Sequence, residues 1–345
     1  MTRTVTVVGG GTVGLTVARA LAVRGSAVTV VDPQPGSGAS WVAGGMIAPY
    51  SEAWPGEEEL FRLGVESLRL WEGFARDLQP FADGPLITSR GTVHLAVDDG
   101  DAAELETIAA AVGDPAQFCP LRPSAAARAV PGAAPRIRAA ASAPAELAVD
   151  NRLLHRALRA ACTTAGVTFR AEAVAGADAL HDLPGDAVIV CAGADSATLA
   201  PEVGVRPVKG EVVRLRRGAT CLPPPEVTVR ARVRGRQVYV VPRADGVVVG
   251  ATQYENDHDL GVRIGPVAEL LDDAFTVLPF LREYEFVEVT AGLRPTTAGN
   301  VPVIAPLRGR VFAATGHGRN GLLLAPVTGL RAADMVLQQE VQAWS

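Results

Sequence analysis

Four glycines in GGGTVG, residues 9–14, stand between the β-branched run Thr4–Val8 and a helix-forming stretch from Leu15 to Arg24. Gly9, Gly11 and Gly14 supply the G-x-G-x-x-G spacing, AVTVV follows at 27–31, and Asp32 closes it. Gly9 makes the tight turn, Gly11 lets the backbone approach a pyrophosphate, and Gly14 lets helix and strand pack closely. The helix start at Thr12 and Val13 offers backbone N–H groups and the positive end of the helix dipole to phosphates. Asp32 accepts from ribose hydroxyls, and its charge argues against a 2′-phosphate. The chemistry is dinucleotide binding, and this unit alone leaves NAD and FAD both open.

Further residues could act on a substrate. Arg294 in AGLRPTT (291–297), Tyr239 in VYVVPR (238–243) and Arg319 in GHGRNGLLLAP (316–326) bring two guanidiniums and a phenol. An arginine fork pairs both oxygens of a carboxylate and never deprotonates. A tyrosine hydroxyl can donate to the same group. On residue type alone, a structural ion pair is the plainer role for Arg294, amphipathic packing for Tyr239 and a surface role for Arg243. The cysteines Cys119, Cys162, Cys191 and Cys221 form no C-x-x-C pair and no metal-like spacing with histidine, so no metal site is expected.

The elements that must position these groups follow from composition and pattern. The chain has 345 residues, enough for two domains, and 48% of them are hydrophobic. A formal net charge of −5 makes a large nucleic-acid surface an unfavoured reading. The first strand run begins at residue 3 and no run of 18 apolar residues occurs, so a cytoplasmic chain without signal peptide or membrane span is expected. After the first βαβ unit comes a long small-residue loop, GSGASWVAGGMIAPYSEAW, and then an amphipathic helix over 57–78. LITSRGTVHLAVDD (86–99) alternates like a hairpin, with His94 structural or solvated, and 117–148 reads as short helices and connections. A helix and strand follow over 151–176, then the apolar strand of GDAVIVCAG. Residues 206–290 read as an antiparallel set, with a turn at ADG, and the chain closes with strand, loop and helix.

These motifs, together with AGGMIAP..SE (43–52), PVKGE (207–211) and VVVGAT (247–252), occur in an order that resembles the D-amino-acid-oxidase-like FAD-dependent oxidoreductases, in particular their glycine-oxidising branch. The resemblance covers the chain to about residue 338. It implies an α/β fold: a discontinuous Rossmann-like FAD-binding domain (1–82, 146–205 and 291–345) and a substrate domain on an antiparallel β-sheet (83–145 and 206–290). It also implies non-covalent FAD and a homo-oligomer. No cysteine follows Cys221, so a covalent tether through a C-terminal cysteine, used by some relatives, is excluded.

On this resemblance Arg294 and Tyr239 hold a substrate carboxylate, and Arg319 lines the site near flavin or amine. Ser40 and the loop Ala43, Gly44, Gly45, Met46 lie near pyrophosphate and flavin. Val174, on the strand after the 151–165 helix, meets the adenine, and Ala192 and Gly193 admit the cofactor closely. His317, Gly318, Asn320, Gly321 and Leu322 lie along the flavin, the glycines keeping side chains off the ring. The implied reaction is oxidation of glycine or a small amino acid, with hydride passing from Cα to flavin N5. Imine, then oxoacid and ammonia, and hydrogen peroxide from dioxygen are the products, feeding thiazole and thiamin synthesis. D-amino-acid or sarcosine-type oxidases and a carrier-linked dehydrogenase are alternatives within the family; a non-catalytic flavin-binding subunit is the alternative outside it. Gln253, beside VVGAT, leaves the amine itself open.

Overall fold

The computed structural model describes residues 2–255 and 258–342; residues 1, 256–257 and 343–345 of the expected domain segments lie outside it. The β-branched runs at the N-terminus form a six-stranded sheet. Its central strand Thr4–Val8 is flanked in parallel by Ala27–Val31 and Ala187–Val190. Thr168–Arg170 and Val311–Thr315 extend it in parallel, and Val303–Pro306 closes one edge antiparallel. The central strands are buried on both faces, which is why they read as unbroken apolar runs rather than alternating ones.

The second sheet has ten strands and is predominantly antiparallel. Arg206–Arg216, Arg236–Arg243 and Gly246–Gly250 form its middle, and Glu285–Thr296 pairs along Arg206–Arg216. One pair is parallel, Thr228–Val233 with Ile87–Ala96; these strands come from distant segments, so no hairpin constrains their direction. The stretch 86–99 is therefore no hairpin. It holds one long strand, and Gly91, at φ +84°, sits at a register shift instead of a turn. Residues 117–148 likewise hold more than short helices. The alanine-rich strand Ala139–Val149 pairs with Ile87–Ala96, small side chains suiting its buried positions despite their weak strand preference. Ala139–Val149 and Glu285–Thr296 run through residues 145 and 291 unbroken, and Met46–Ile47 joins the ten-stranded sheet beside Ala148 and Leu147.

The last helix, Gly321–Gln342, starts at the loop Gly316–Asn320 and carries Pro326 within its first turns. Proline cannot donate and disturbs the helical ladder around it. Helix Glu58–Leu78 fills that gap. Ser67 Oγ and Trp71 Nε1 donate to the Leu323 carbonyl at 2.6 and 2.9 Å, and Trp71 is fully buried. This bond sets the height of the loop before the helix. Trp71→Phe should therefore lose about 1–3 kcal/mol in urea unfolding, from the missing donor and the space left by the smaller ring. Unchanged stability would show that the Leu323 carbonyl is satisfied without it.

Candidate active site

A cavity of about 600 Å³ is lined by residues of both sheets, within the size range of cofactor sites. At one end it meets the carboxyl ends of the parallel strands. Gly9 has φ +108°, and a Cβ there would lie 2.3 Å from the Cys191 carbonyl oxygen. A Cβ on Gly14 would lie 1.9 Å from the Gly9 oxygen, so Gly14 serves helix packing and does not face the cavity. Thr12 is also set back: it is buried, and its amide donates to Ser40 Oγ at 3.0 Å. Gly9, Gly11 and Val13 form the surface, and Gly11, the residue before the helix, has no side chain to cap it.

Asp32 lines the same end. Its carboxylate accepts from the amides of Gly10 at 2.6 Å and Gln34 at 2.8 Å, which fix its orientation. Ala192, Gly193 and Val174 lie there too. Val174 is in coil beyond Thr168–Arg170 and not on a strand, because the partner strand ends at Val31, opposite Arg170. Cys191 is buried, which pushes its thiol up to about 12 and makes it a packed group, not a nucleophile.

Ser40, Ala43, Gly44, Gly45 and Met46 line the middle of the cavity. What holds this segment is a residue that sequence reasoning missed. Asn151, fully buried and the first residue of helix Asn151–Thr164, donates through Nδ2 to the carbonyls of Ser40 at 2.9 Å and Trp41 at 2.8 Å. Its Oδ1 accepts from Arg214 at 3.1 Å and Arg243 at 3.2 Å, both on the ten-stranded sheet. Arg243 also donates to the Gly44 carbonyl at 2.8 Å; it is buried, its pKa brought down to about 10 by desolvation, and it serves this segment rather than the surface. The signal lay in the helix start VDNRLL, where Asp150 accepts from the amides of Arg152 and Leu153 as the cap.

Tyr239 and Arg294 meet at the opposite end. The Tyr239 ring lies between two glycines: an added Cβ would stand 2.5 Å from it at Gly44 and 2.1 Å at Gly250. Burial raises its pKa, keeping the hydroxyl a donor. Arg294 lies within strand Glu285–Thr296, not beyond a strand end, opposite Val208. Pro295 stands opposite Pro207, and beyond its pairing with Arg206–Arg216 the strand makes an isolated bridge, Thr296 with His317. The Arg294 guanidinium lies over Gly210, where a Cβ would come within 2.3 Å, and donates to the carbonyls of Lys209 and Thr252 at 3.3 Å. Among the described residues no carboxylate pairs with it. Gln253 lines the same wall.

Arg319 lines the cavity, but its charge is taken. Nε donates to Glu52 at 2.9 Å and Nη2 to Glu57 at 3.3 Å. Glu52 also accepts from Arg230 at 2.5 Å. Burial would raise the Glu52 pKa, but the two guanidiniums outweigh it and hold the carboxyl below its usual range. His317, Gly318, Asn320, Gly321 and Leu322 line the cavity beside Arg319. The need for glycine at 316 and 318 is conformational: φ is +82° and +54°, and a Cβ on Gly316 would lie 2.5 Å from Thr297. His317 is buried and bonded to Thr328 Oγ1 at 2.9 Å; desolvation brings its pKa down to about 4, so it is a neutral loop partner.

An α/β fold with a glycine-bordered helix start and an oriented acid at one end of a cavity, and a guanidinium without an ion pair among the described residues at the other, defines a dinucleotide-dependent oxidoreductase. The model of the family "FAD dependent oxidoreductase" matches residues 4–335, and the chain belongs to that family. It is 31% identical to a glycine oxidase of Geobacillus kaustophilus, over 97% of this chain and 93% of the relative. It is also 31% identical to a putative thiamine biosynthesis oxidoreductase of Rhizobium etli, over 97% and 96%. The crystal structure of the Geobacillus kaustophilus glycine oxidase superposes with a TM-score of 0.85 at 29% identity, covering 98% of this chain and 95% of that one. The cavity fits FAD: Gly9, Gly11 and Asp32 form a cradle that side chains would fill at one end, and Ala43–Met46 and His317–Leu322 wall the rest.

Two outcomes follow from this geometry. Asn151→Ala should free the 40–45 segment and weaken FAD retention by at least tenfold, read by flavin release on dilution; wild-type retention would show that the segment holds itself. His317 has a folded pKa of about 4 against 6.5 unfolded, so the unfolded chain binds more protons in that range. Stability should therefore fall as pH drops from about 6.5 towards 4, by up to ~1.4 kcal/mol per pH unit for this group. His317→Asn should flatten that part of the Tm profile, and an unaltered slope would rule the histidine out.

Proposed function

We propose that this chain oxidises glycine or another small amino acid, giving an imine that hydrolyses to oxoacid and ammonia, with dioxygen as the final acceptor and hydrogen peroxide as its product. Arg294 carries the reading: it is a half-buried guanidinium lining the cavity, held by two backbone carbonyls and, among the described residues, paired with no carboxylate. A substrate carboxylate supplies the missing anion with two parallel bonds, and burial strengthens that pairing. Tyr239, fixed between Gly44 and Gly250, donates its hydroxyl from the same wall. Two fixed donor groups orient the amino acid about its Cα, which converts binding energy into alignment. FAD, when bound, supplies the redox chemistry by accepting the Cα hydrogen with its electron pair.

His317 is no base for this reaction, being buried, neutral and bonded to Thr328. A substrate bound with its amine neutral needs no protein group to take a proton from carbon. Relatives named glycine oxidase, and one named for thiamine biosynthesis, support glycine as substrate and delivery of the imine to thiazole synthesis. A homo-oligomeric, cytoplasmic enzyme completes the proposal. Among the described residues no helix is long and apolar enough to cross a membrane.

The test is anaerobic mixing of the yellow protein with glycine, sarcosine and small D-amino acids while the flavin absorbance is followed. Bleaching by glycine, with peroxide on readmitting air, is the expected result; no bleaching by any of them overturns the amino-acid assignment. Arg294→Ala should keep its FAD and lose about 10²- to 10⁴-fold in kcat/KM, the range for removing one partner of a buried charged pair.

A further inference from the structure

Three arginines, Arg230, Arg294 and Arg319, line the substrate end of the cavity, and among the described residues carboxylates pair with two of them. Arg230, on strand Thr228–Val233, stands directly opposite Tyr239 on the neighbouring antiparallel strand, so both side chains project from one face. Its guanidinium is buried and pairs with Glu52 at 2.5 Å. The other Glu52 oxygen pairs with Arg319, which Glu57 also neutralises; Glu57 in turn accepts from Asn300 at 2.6 Å. Among the described residues, Arg294 is the one of the three that forms no ion pair, although Glu52 lies close enough to favour its charge. The end of the cavity is thus built for one carboxylate, with a second carboxylate-binding fork present but occupied.

Resting on the amino-acid oxidase reading above, we propose that Glu52 sets the specificity of this site for monocarboxylate amino acids by occupying Arg230, the fork that would otherwise take a second carboxylate on the substrate. The Glu52 carboxylate acts twice. It satisfies a buried guanidinium, which would be costly to leave unpaired, and it repels any further anion brought alongside. Neutral Glu52 would leave Arg230 buried without a counter-ion, and a dicarboxylate ligand would repair that deficit while a monocarboxylate would not. Glu52 lies in the segment that reads AGGMIAP..SE, so its backbone is carried by the same stretch that walls the middle of the cavity. Ser51, its neighbour, is fixed independently: its amide and hydroxyl donate to buried Glu146 at 2.7 and 2.8 Å.

The experiment titrates the FAD-loaded protein calorimetrically with malonate and malonamate, which have the same shape and differ by one negative charge; neither carries an amine to oxidise. The wild-type protein should bind malonamate at least tenfold more tightly. Glu52→Gln should shift the ratio at least tenfold towards malonate, and adding Arg230→Met to that variant should abolish the shift. Glu52→Asp keeps the charge but is too short to span both guanidiniums, so it should give a smaller shift in the same direction; it serves if the glutamine variant does not fold. An unchanged ratio in the folded variants overturns the role of Glu52 and leaves the amino-acid reading standing. Failure of the wild-type protein to bind either ligand overturns the carboxylate site at Arg294, and this inference with it.

Discussion

One buried amide ties the segment that walls the middle of the cavity to the ten-stranded sheet. Asn151 gives both its donors to the carbonyls of Ser40 and Trp41, and its oxygen takes Arg214 and Arg243 from the ten-stranded sheet. Removing those bonds would leave two main-chain oxygens short of a donor and take one acceptor from each guanidinium, and each buried group left unmet costs about 1–3 kcal/mol. Everything that lines the middle of the cavity hangs from this junction. Ser40 also receives the Thr12 amide, and Gly44 is held against Tyr239 by Arg243. Cofactor cradle and substrate wall are thereby held at a fixed separation by one side chain.

The charged groups obey a complementary constraint. A site that must attract an anion needs positive charge, yet surplus buried charge is expensive. Glu52 and Glu57 absorb Arg230 and Arg319, while Arg294 is held by carbonyl dipoles that stabilise its charge without cancelling it. The same glycine-bordered geometry that confines Tyr239 keeps its donor aimed at the same place. Rigidity here comes from backbone contact, which mutation of surrounding side chains leaves intact.

Local features were legible in the sequence, and long-range ones were not. The first βαβ unit could be read because Gly14 and Asp32 act on near neighbours in the chain, Gly14 on Gly9 and Asp32 on Gly10 and Gln34. Tyr239 and Arg294 were nominated through the family resemblance, since on residue type alone packing and a structural ion pair are their plainer roles. The alanine-rich strand Ala139–Val149 escaped because its residues favour helix and only tertiary burial selects the strand. Arg319 was read as a charge for the ligand because its partner Glu52 stands 267 residues away, a distance over which type and spacing carry no information. Asn151 escaped for the same reason: a polar residue at a helix start has an ordinary local role, and its unusual one depends on four groups from other segments.

The parallel sheet also constrains the order of assembly. Its neighbouring strands begin at residues 4, 27, 168, 187 and 311, so the sheet that seats the cofactor draws on nearly the whole length of the polypeptide. Such distant pairings are slow to form because long loops must close before any contact rewards them. On the ribosome the nucleotide fingerprint emerges first, yet its flanking strand at 187–190 and the wall at 317–322 are translated much later. The cradle cannot therefore act as a folding template for the nascent chain. Cofactor capture belongs to the finished polypeptide, and until then the apolar strands at 4–8 and 27–31 are unprotected edges that the cell must keep apart.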